Sequence, residues 1–377
     1  MMEKKLYISV LCGGQSTEHE ISIQSAKNIV NTLDASNYLI YIIFIDHVGR
    51  WYLIDQSEMF LAYSPDHLVK EGSARPITIA FGDAEKPWQS LNGDGRRYSA
   101  DCVFPMVHGT QGEDGALQGL LELLNLPYVG ANVQSSAVCI EKDLTKTLLR
   151  AGGIPVVDWY TLSPPDTTEG VYQRLLNRWG VSELFVKAVS LGSSVATFPV
   201  KTEIEFTKAV KEVFRYDDRL MVEPRIHGRE IECAVFGNGT PKASLPAEII
   251  PHHDYYSYEA KYLDPNGATT TTSVNLLESV TKRIQQTAID AFKKVHCSGM
   301  ARVDFFVTLN NKVMVNEINT IPGFTSISMY PKMWEASGLP CPNLLDQLIE
   351  LAIDRHREQQ KLIRCYEIKA KQSEKSV

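Results

Sequence analysis

Apolar runs and helix-spaced apolar stripes alternate along the first third of the chain. KLYISVLC, YLIYIIFID and ADCVFPMV are short continuous apolar runs, the pattern of strands buried on both faces of a sheet. TEHEISIQSAKNIVNTL and GALQGLLELLN carry apolar residues at helical spacing, and a Leu-Pro stops the second. This order predicts an α/β unit built on a doubly wound parallel sheet. Residues 83 to 100 are polar and Gly-rich and predict a loop.

The pattern then shifts. SSAVCIEKDLTKTLLRAGG predicts one helix ended by its Gly-Gly. IPVVDWYTL, ELFVKAV and VATFPV predict strands, and IEFTKAVKEVFRY a helix among strands. From LMVEPRI onward strands dominate: REIECAVFG, PKASLPAEII, then the two runs inside ARVDFFVTLNNKVMVNEINT. SVTKRIQQTAIDAFKKVH and CPNLLDQLIELAIDRHR predict helices before and after those runs. Edges near residues 132 and 222 divide the chain into units 1–131, 132–222 and 223–360, with a charged tail at 361–377.

Composition narrows the classes. The 377 residues are 44% hydrophobic and 22% charged, as in ordinary globular proteins. A net charge of −7 argues against a nucleic-acid surface. No apolar run reaches the ~20 residues that span a bilayer. The opening MMEKKLYISVLCGG lacks a cleavage-type site and predicts a buried strand rather than a signal peptide. Seven scattered cysteines without a C-x-x-C pair suit reduced thiols in the cytoplasm, not a metal framework.

The candidate chemistry begins in the last strand pair. If Asn310-Asn311 is a two-residue turn, Asp304 faces Glu317 and Arg302 faces Asn319, all on one side of the hairpin. Like charges directly opposite are destabilising. Two carboxylates with an Asn carbonyl make an all-oxygen set suited to Mg²⁺ or Mn²⁺. A solvated face with Arg302 pairing Asp304 is the bland alternative. The loop NTIPGFTSIS that follows favours a site, because Gly323 lets a backbone N–H approach a ligand.

Four other stretches join it. Lys187 ends a strand before Ser190-Leu-Gly-Ser-Ser194, a small-residue loop able to wrap a phosphate, or an ordinary hairpin loop. VHGTQGEDGALQG joins a strand end to a helix start, where ligands bind in open α/β sheets. It places His108 there and predicts Asp114 as a helix cap. LCGGQSTEHEIS repeats that geometry, with Thr17 and Glu20 as a capping box and Glu18 left to meet a cation. It has no G-x-G-x-x-G, which disfavours NAD. DYYSYEAKYLDP suits a lid carrying a phosphate-seeking Lys261, or an aromatic surface strand.

Together these stretches resemble the D-alanine–D-alanine ligases of the ATP-grasp superfamily, from about residue 6 to residue 353. The resemblance is carried by GG-x-S-x-E-x-E-I-S, H-G-x-x-G-E-D-G-x-x-Q-G, L-G-S-S-V, E-A-K-Y and E-I-N-T-I-P-G-F-T. It implies an ATP-grasp fold: a Rossmann-like first domain binding the first D-alanine, then two α+β domains that clamp ATP. It implies a homodimer, and a dipeptide made through D-alanyl phosphate for peptidoglycan. Asp304, Glu317 and Asn319 would hold two Mg²⁺ or Mn²⁺ ions. Arg302 and the N–H of Gly323 would stabilise an oxyanion. Lys142, Lys187 and Lys261 would grip phosphates, with Ser193 beside them. Glu223 and Glu230 would bind the nucleoside. Glu18 would hold the first D-alanine's ammonium, with His108 near its carboxyl group. Ser328 and the backbone of Met329 would hold the second carboxylate. Ser193 and Tyr262 would hydrogen-bond with Glu18 and close the lid.

The chain departs from the family pattern in places. It has V-K-A for V-K-P, S-V-A for S-V-G, Glu141 before Lys142 for Asp, and GATTTTSVNL in place of Pro-Ala-x-L. The rival expectations are a D-alanine–D-lactate or D-alanine–D-serine ligase, a biotin-carboxylase-like enzyme, and a non-catalytic nucleotide-binding module.

Overall fold

The computed structural model describes residues 5–56, 65–164, 168–253, 255, 264 and 266–364. Strands β1 (Leu6–Gly13), β2 (Tyr38–Ile45), β3 (Trp51–Ile54), β4 (Arg75–Ile79), β5 (Trp88–Ser90), β6 (Arg97–Tyr98) and β7 (Cys102–Pro105) form the first sheet. Their order is β6-β5-β4-β3-β2-β1-β7. The parallel centre expected from the sequence is β2-β1-β7. Four antiparallel strands extend it on one side. Two of them lie within residues 83 to 100, so that stretch is not the loop expected. Strands of three and two residues are too short to show a period. Trp88 fixes them: it is fully buried, and its Nε1 donates to Ser9 Oγ at 2.8 Å.

Helices α1 (His19–Thr32), α2 (Pro65–Glu71) and α3 (Ala116–Leu123) belong to this unit. α1 starts after Glu18, and no side-chain cap forms there, so the Thr17–Glu20 capping box is absent. Ser16 Oγ instead accepts the Glu18 N–H at 3.1 Å. Asp114 is not the N-cap of α3 as expected: Gly115 is, left-handed at φ 92 and without a side-chain cap, while Asp114 one residue earlier accepts the N–H groups of Gln111 at 2.7 Å and Ala116 at 3.0 Å.

The single helix expected at 135–153 is two, α4 (Val133–Ile140) and α5 (Lys142–Ala151). Glu141 breaks it with ψ 91. Contacts from the second sheet pull the break open: Lys142 N donates to Val189 O at 3.1 Å, and the Glu141 carboxylate pairs with Arg219. Gly153 follows the end of α5 in a left-handed turn, φ 76, as the Gly-Gly suggested.

The second sheet is antiparallel, in the order β10-β9-β11-β8, from β8 (Tyr160–Leu162), β9 (Leu184–Ala188), β10 (Thr197–Val200) and β11 (Leu220–Pro224). IPVVDWYTL is a strand only at its end, since its earlier part makes one bridge, Val156 to Val315. Helices α6 (Val171–Trp179) and α7 (Glu203–Val213) pack on this sheet, giving it its own core of Leu175, Val186, Phe206 and Val222.

The third sheet runs β15-β14-β12-β16-β17, with β13 paired to β12. Its strands are β12 (Gly228–Gly237), β13 (Lys242–Ala243), β14 (Ala247–Pro251), β15 (Ala268–Thr271), β16 (Gly299–Thr308) and β17 (Val313–Asn319). α8 (Glu278–Lys294) buries Ile284 and Phe292 against Ile231 and Val303. α9 (Met329–Ala336), a stretch given no element from the sequence, and α10 (Cys341–Gln360) return to the first sheet. One core joins Ile8, Ile23 and Phe104 of that sheet's unit to Phe324, Tyr330 and Leu348. None of the six described cysteines is in a disulfide. Among the described residues no helix is long and apolar enough to cross a membrane.

Candidate active site

A cleft of about 990 Å³ opens between the three sheets. Its floor is the hairpin β16–β17. Asp304 pairs with Glu317 and Arg302 with Asn319, as the sequence predicted, but by another route. The turn holds three residues: Thr308 N donates to Lys312 O at 3.1 Å, and Asn311 is left-handed at φ 56. That slips the register by one residue, and a bulge beyond Asp304 slips it back. The residue bulged out is Asn316, which lines the cleft beside Glu317. Its Oδ1 accepts from Lys187 Nζ at 3.1 Å.

The floor holds more acid than expected. Glu232 on β12 sits opposite Asp304, so Glu232, Asp304 and Glu317 form a row across three strands. Arg302 neutralises much of it, gripping both Asp304 oxygens at 2.7 Å and lying 3.2 Å from Glu232. Burial would lower the guanidinium's pKa, but the charges of Asp304 and Glu232 outweigh it and raise it well above its ordinary value. Asn319 Nδ2 donates to Asp304 Oδ2 at 2.9 Å. Lys142 Nζ stands 3.8 Å from Glu317.

The second sheet and α5 supply the cations. Lys187 is buried, 2.9 Å from Glu223, and fully buried Lys146 also pairs with that carboxylate. Burial would raise Glu223's pKa, but Lys146 and Lys187 overcome it and lower it. Burial brings Lys146 down to about 8. Glu223 thus faces two lysines, whereas Glu230 lines the cleft. The loop after Lys187 is strained. Ser193, Ser194 and Ala196 have φ of 51, 57 and 51, in the left-handed region that glycine tolerates best. Ala196→Gly is therefore expected to stabilise the chain by about 0.5–1 kcal/mol, since relief of strain exceeds the entropy glycine adds to the unfolded state. A urea midpoint that falls would contradict this.

The first sheet brings the Glu18 loop across the cleft. Gly13, at φ 87, packs so tightly that a Cβ would lie 2.2 Å from Ile45 O. Glu18 is buried and accepts a hydrogen bond from Ser193 Oγ, which joins the second sheet's loop to the first sheet's. Gly109 is left-handed at φ 71, which favours glycine, and a Cβ there would also lie 2.8 Å from Glu18 Oε2. Burial lowers the pKa of His108, and its Nε2 lies 3.2 Å from Ser25 Oγ. Ser25 also accepts the Phe324 N–H at 3.2 Å, and Asn28 Nδ2 donates to Phe324 O at 2.7 Å. These bonds fasten α1 to the loop containing Gly323. There Ser328 caps α9 in position only, its Oγ accepting the Thr325 N–H at 2.9 Å. Gly323, Ser328 and Met329 all line the cleft. Lys261 and Tyr262 lie outside the described residues.

Glu113 was not singled out in the sequence, although it stands in the quoted glycine-rich motif. Its Oε2 accepts the Gly109 N–H at 3.0 Å. Burial, then the neighbouring Glu18 charge, push it up to about 8. A carboxyl raised from the ordinary 4.5 holds a proton in the folded chain that the unfolded chain has released. Its contribution is thus full below 4.5 and is lost as the pH rises toward 8. Glu113→Gln, which has no such proton, is expected to flatten that decline, worth at most about 1.4 kcal/mol per pH unit. Urea midpoints from pH 5 to 8 would show it, and parallel slopes for the two proteins would refute it.

Buried lysines stand over a floor of carboxylates between the second and third sheets, the arrangement of an ATP-grasp enzyme. The family models for the D-ala D-ala ligase N-terminus and C-terminus match residues 7–131 and 148–350. A D-alanine–D-alanine ligase of Coxiella burnetii (strain Dugway 5J108-111) is 90% identical over 98% of this chain and 100% of its own. A solved D-alanine–D-alanine ligase from Coxiella burnetii aligns with a TM-score of 0.88 and 85% identity, covering 97% of this chain and 98% of that one. The Bacillus anthracis D-alanine–D-alanine ligase complexed with ATP aligns with a TM-score of 0.69 and 26% identity, covering 94% and 99%. The chain belongs to the D-alanine–D-alanine ligase family.

Proposed function

We propose that the chain joins two D-alanines to D-alanyl-D-alanine for peptidoglycan, with ATP as the phosphoryl donor and D-alanyl phosphate as intermediate. The single observation that carries the reading is the bond from Ser193 to Glu18, which closes the phosphate loop onto the amino-acid loop over one acidic floor. Residues 1–131 present the first substrate, 132–222 cover the nucleotide, and 223–360 supply the floor and the second substrate's site, with 361–377 as a tail.

The floor fits a hard divalent cation. Glu317, Asp304 and the carbonyl oxygens of Asn319 and Asn316 are an all-oxygen set, with no imidazole or thiolate among them. Two Mg²⁺ or Mn²⁺ ions held there would neutralise the phosphates of bound ATP. Lys142 and Lys187 add positive charge along the phosphates, and Glu230 reaches the ribose. Glu223, with Lys146, holds Lys187 in line, an indirect contribution to the nucleotide site.

Glu18 pairs with the first D-alanine's ammonium, and neutral His108 lies at its carboxyl end. Arg302 and the Gly323 N–H face the oxygen that becomes anionic when the second amine attacks, where fixed donors lower the barrier most. The second carboxylate rests on Ser328 and the free N–H groups that open α9 at Met329. A homodimer in the cytoplasm is the family expectation for the whole enzyme.

The test measures phosphate release from ATP and Mg²⁺ with D-alanine, D-lactate or D-serine as second substrate. D-alanine is expected to be strongly preferred near neutral pH. Preference for D-lactate or D-serine would assign a related ligase, and nucleotide binding without D-alanine-dependent turnover would leave a non-catalytic module.

A further inference from the structure

Four metal-ligand side chains meet outside the cleft, where β2, α1 and α2 end or begin. They are His19, Glu20, His47 and Asp66, whose ligand atoms all lie within 4.8 Å of one another. None of them lines the cleft. We propose that they form a second cation site, for a divalent transition ion of the zinc class.

The buried ring of His19 carries the argument. Its Nδ1 lies 2.7 Å from the carbonyl of Gly14. A carbonyl only accepts, so Nδ1 bears a proton. In the neutral ring Nε2 then presents a lone pair, and Asp66 Oδ2 stands 3.3 Å from it. Two acceptors face each other, which requires a cation between them: a proton or a metal. A proton accounts for that pair alone. It does not account for His47 and Glu20, whose ligand atoms join the pair within 4.8 Å; the His47 ring, stacked face-to-face on His19 at 3.7 Å and 23°, has to turn out of that stack to reach the same ion.

The surroundings are those of a metal-ligating imidazole. A ligating histidine commonly donates its other ring N–H to a carbonyl, which fixes its tautomer and orientation. Phe44 holds the ring edge-on at 5.5 Å. Two imidazoles with two carboxylates select zinc, cobalt or nickel over magnesium, in contrast to the oxygen-only floor of the cleft. Zinc bonds of about 2.0–2.2 Å place ligand atoms closer together than the four now lie. Glu20 and His47 are exposed and free to draw inward, while buried His19 stays in place. His19 directly follows Glu18, so an ion here would tie the start of α1 to the ends of β2 and α2.

The test uses the full chain, stripped with EDTA and saturated with Mg²⁺ and ADP so that the cleft is filled. Co²⁺ is titrated by its visible absorption, and Zn²⁺ by calorimetry. One further equivalent is expected, retained in Glu317→Gln and weakened at least about tenfold in His47→Ala and Asp66→Asn. His47→Ala, at the surface, should leave Mg²⁺-dependent turnover unchanged and keeps the test valid if Asp66→Asn folds poorly. Equal affinity in His47→Ala and wild type would overturn the proposal. So would an equivalent lost only in Glu317→Gln, or none between pH 6.5 and 8, which would mean a proton alone closes the pair.

Discussion

Glu317→Gln is expected to lower ligation turnover by about 10²–10³-fold and to leave the chain folded. Two observations separate these effects. Asp304, opposite Glu317, already has Arg302 and Asn319 as partners, so the hairpin does not depend on Glu317 for its own neutrality. Removing one of two facing carboxylates relieves repulsion worth roughly 0.2–1 kcal/mol, which offsets the loss of the Lys142 pairing at 3.8 Å. Turnover, however, needs the negative charge that a cation would meet beside Lys142. Kinetics at varied Mg²⁺, alongside thermal melts, read both effects. Unchanged Mg²⁺ dependence would remove Glu317 from the proposed ligand set.

Lys146→Met carries the largest expected loss of stability, about 3 kcal/mol. Lys146 and Glu223 are 0% and 3% exposed, so water cannot take over when one partner goes. The cost is held to the low end of the usual range because Lys187 remains 2.9 Å from Glu223. Met has nearly the length of Lys and leaves little cavity, so the loss reports charge rather than volume. Lys187 would turn further toward Glu223, and the KM for ATP is expected to rise. Adding Glu223→Gln removes the stranded carboxylate and should recover part of the loss. Urea unfolding of the single and double variants checks this, and a single variant as stable as wild type would show that the pair is dispensable.

The sequence made the ends of the site legible and left its middle dark. Asp304, Glu317, Arg302 and Asn319 followed from strand alternation, yet the assumed turn was one residue too short. The bulge at Asn316 compensated for it, and bulges leave no trace in a period of two. Asn316 was missed for that reason. Lys146 looks like any helical lysine until α5, packed against β17 and α8, brings it to Glu223 of β11. Glu232 lay in a strand read for its apolar face, and its place opposite Asp304 depends on pairing across more than 70 residues. The break at Glu141 likewise answers to Arg219 and Val189, which local propensity cannot see. β5 and β6 were hidden by brevity. In contrast, the long helices α1, α8 and α10 were plain, because burial on one face repeats over several turns.

The core that unites the first sheet with α9 and α10 sets a dimension. Ser25 and Asn28 of α1 hold the backbone of Phe324, so the Glu18 side of the cleft and the Ser328 side belong to one rigid frame. The second sheet has a core of its own, and its loop meets that frame near Glu18 at Ser193 Oγ and at the close approach of Gly192. In the proposed function the nucleotide lies on the second sheet's side, outside that frame. The gauge between the two opposite walls is thus set by the folding of the frame itself.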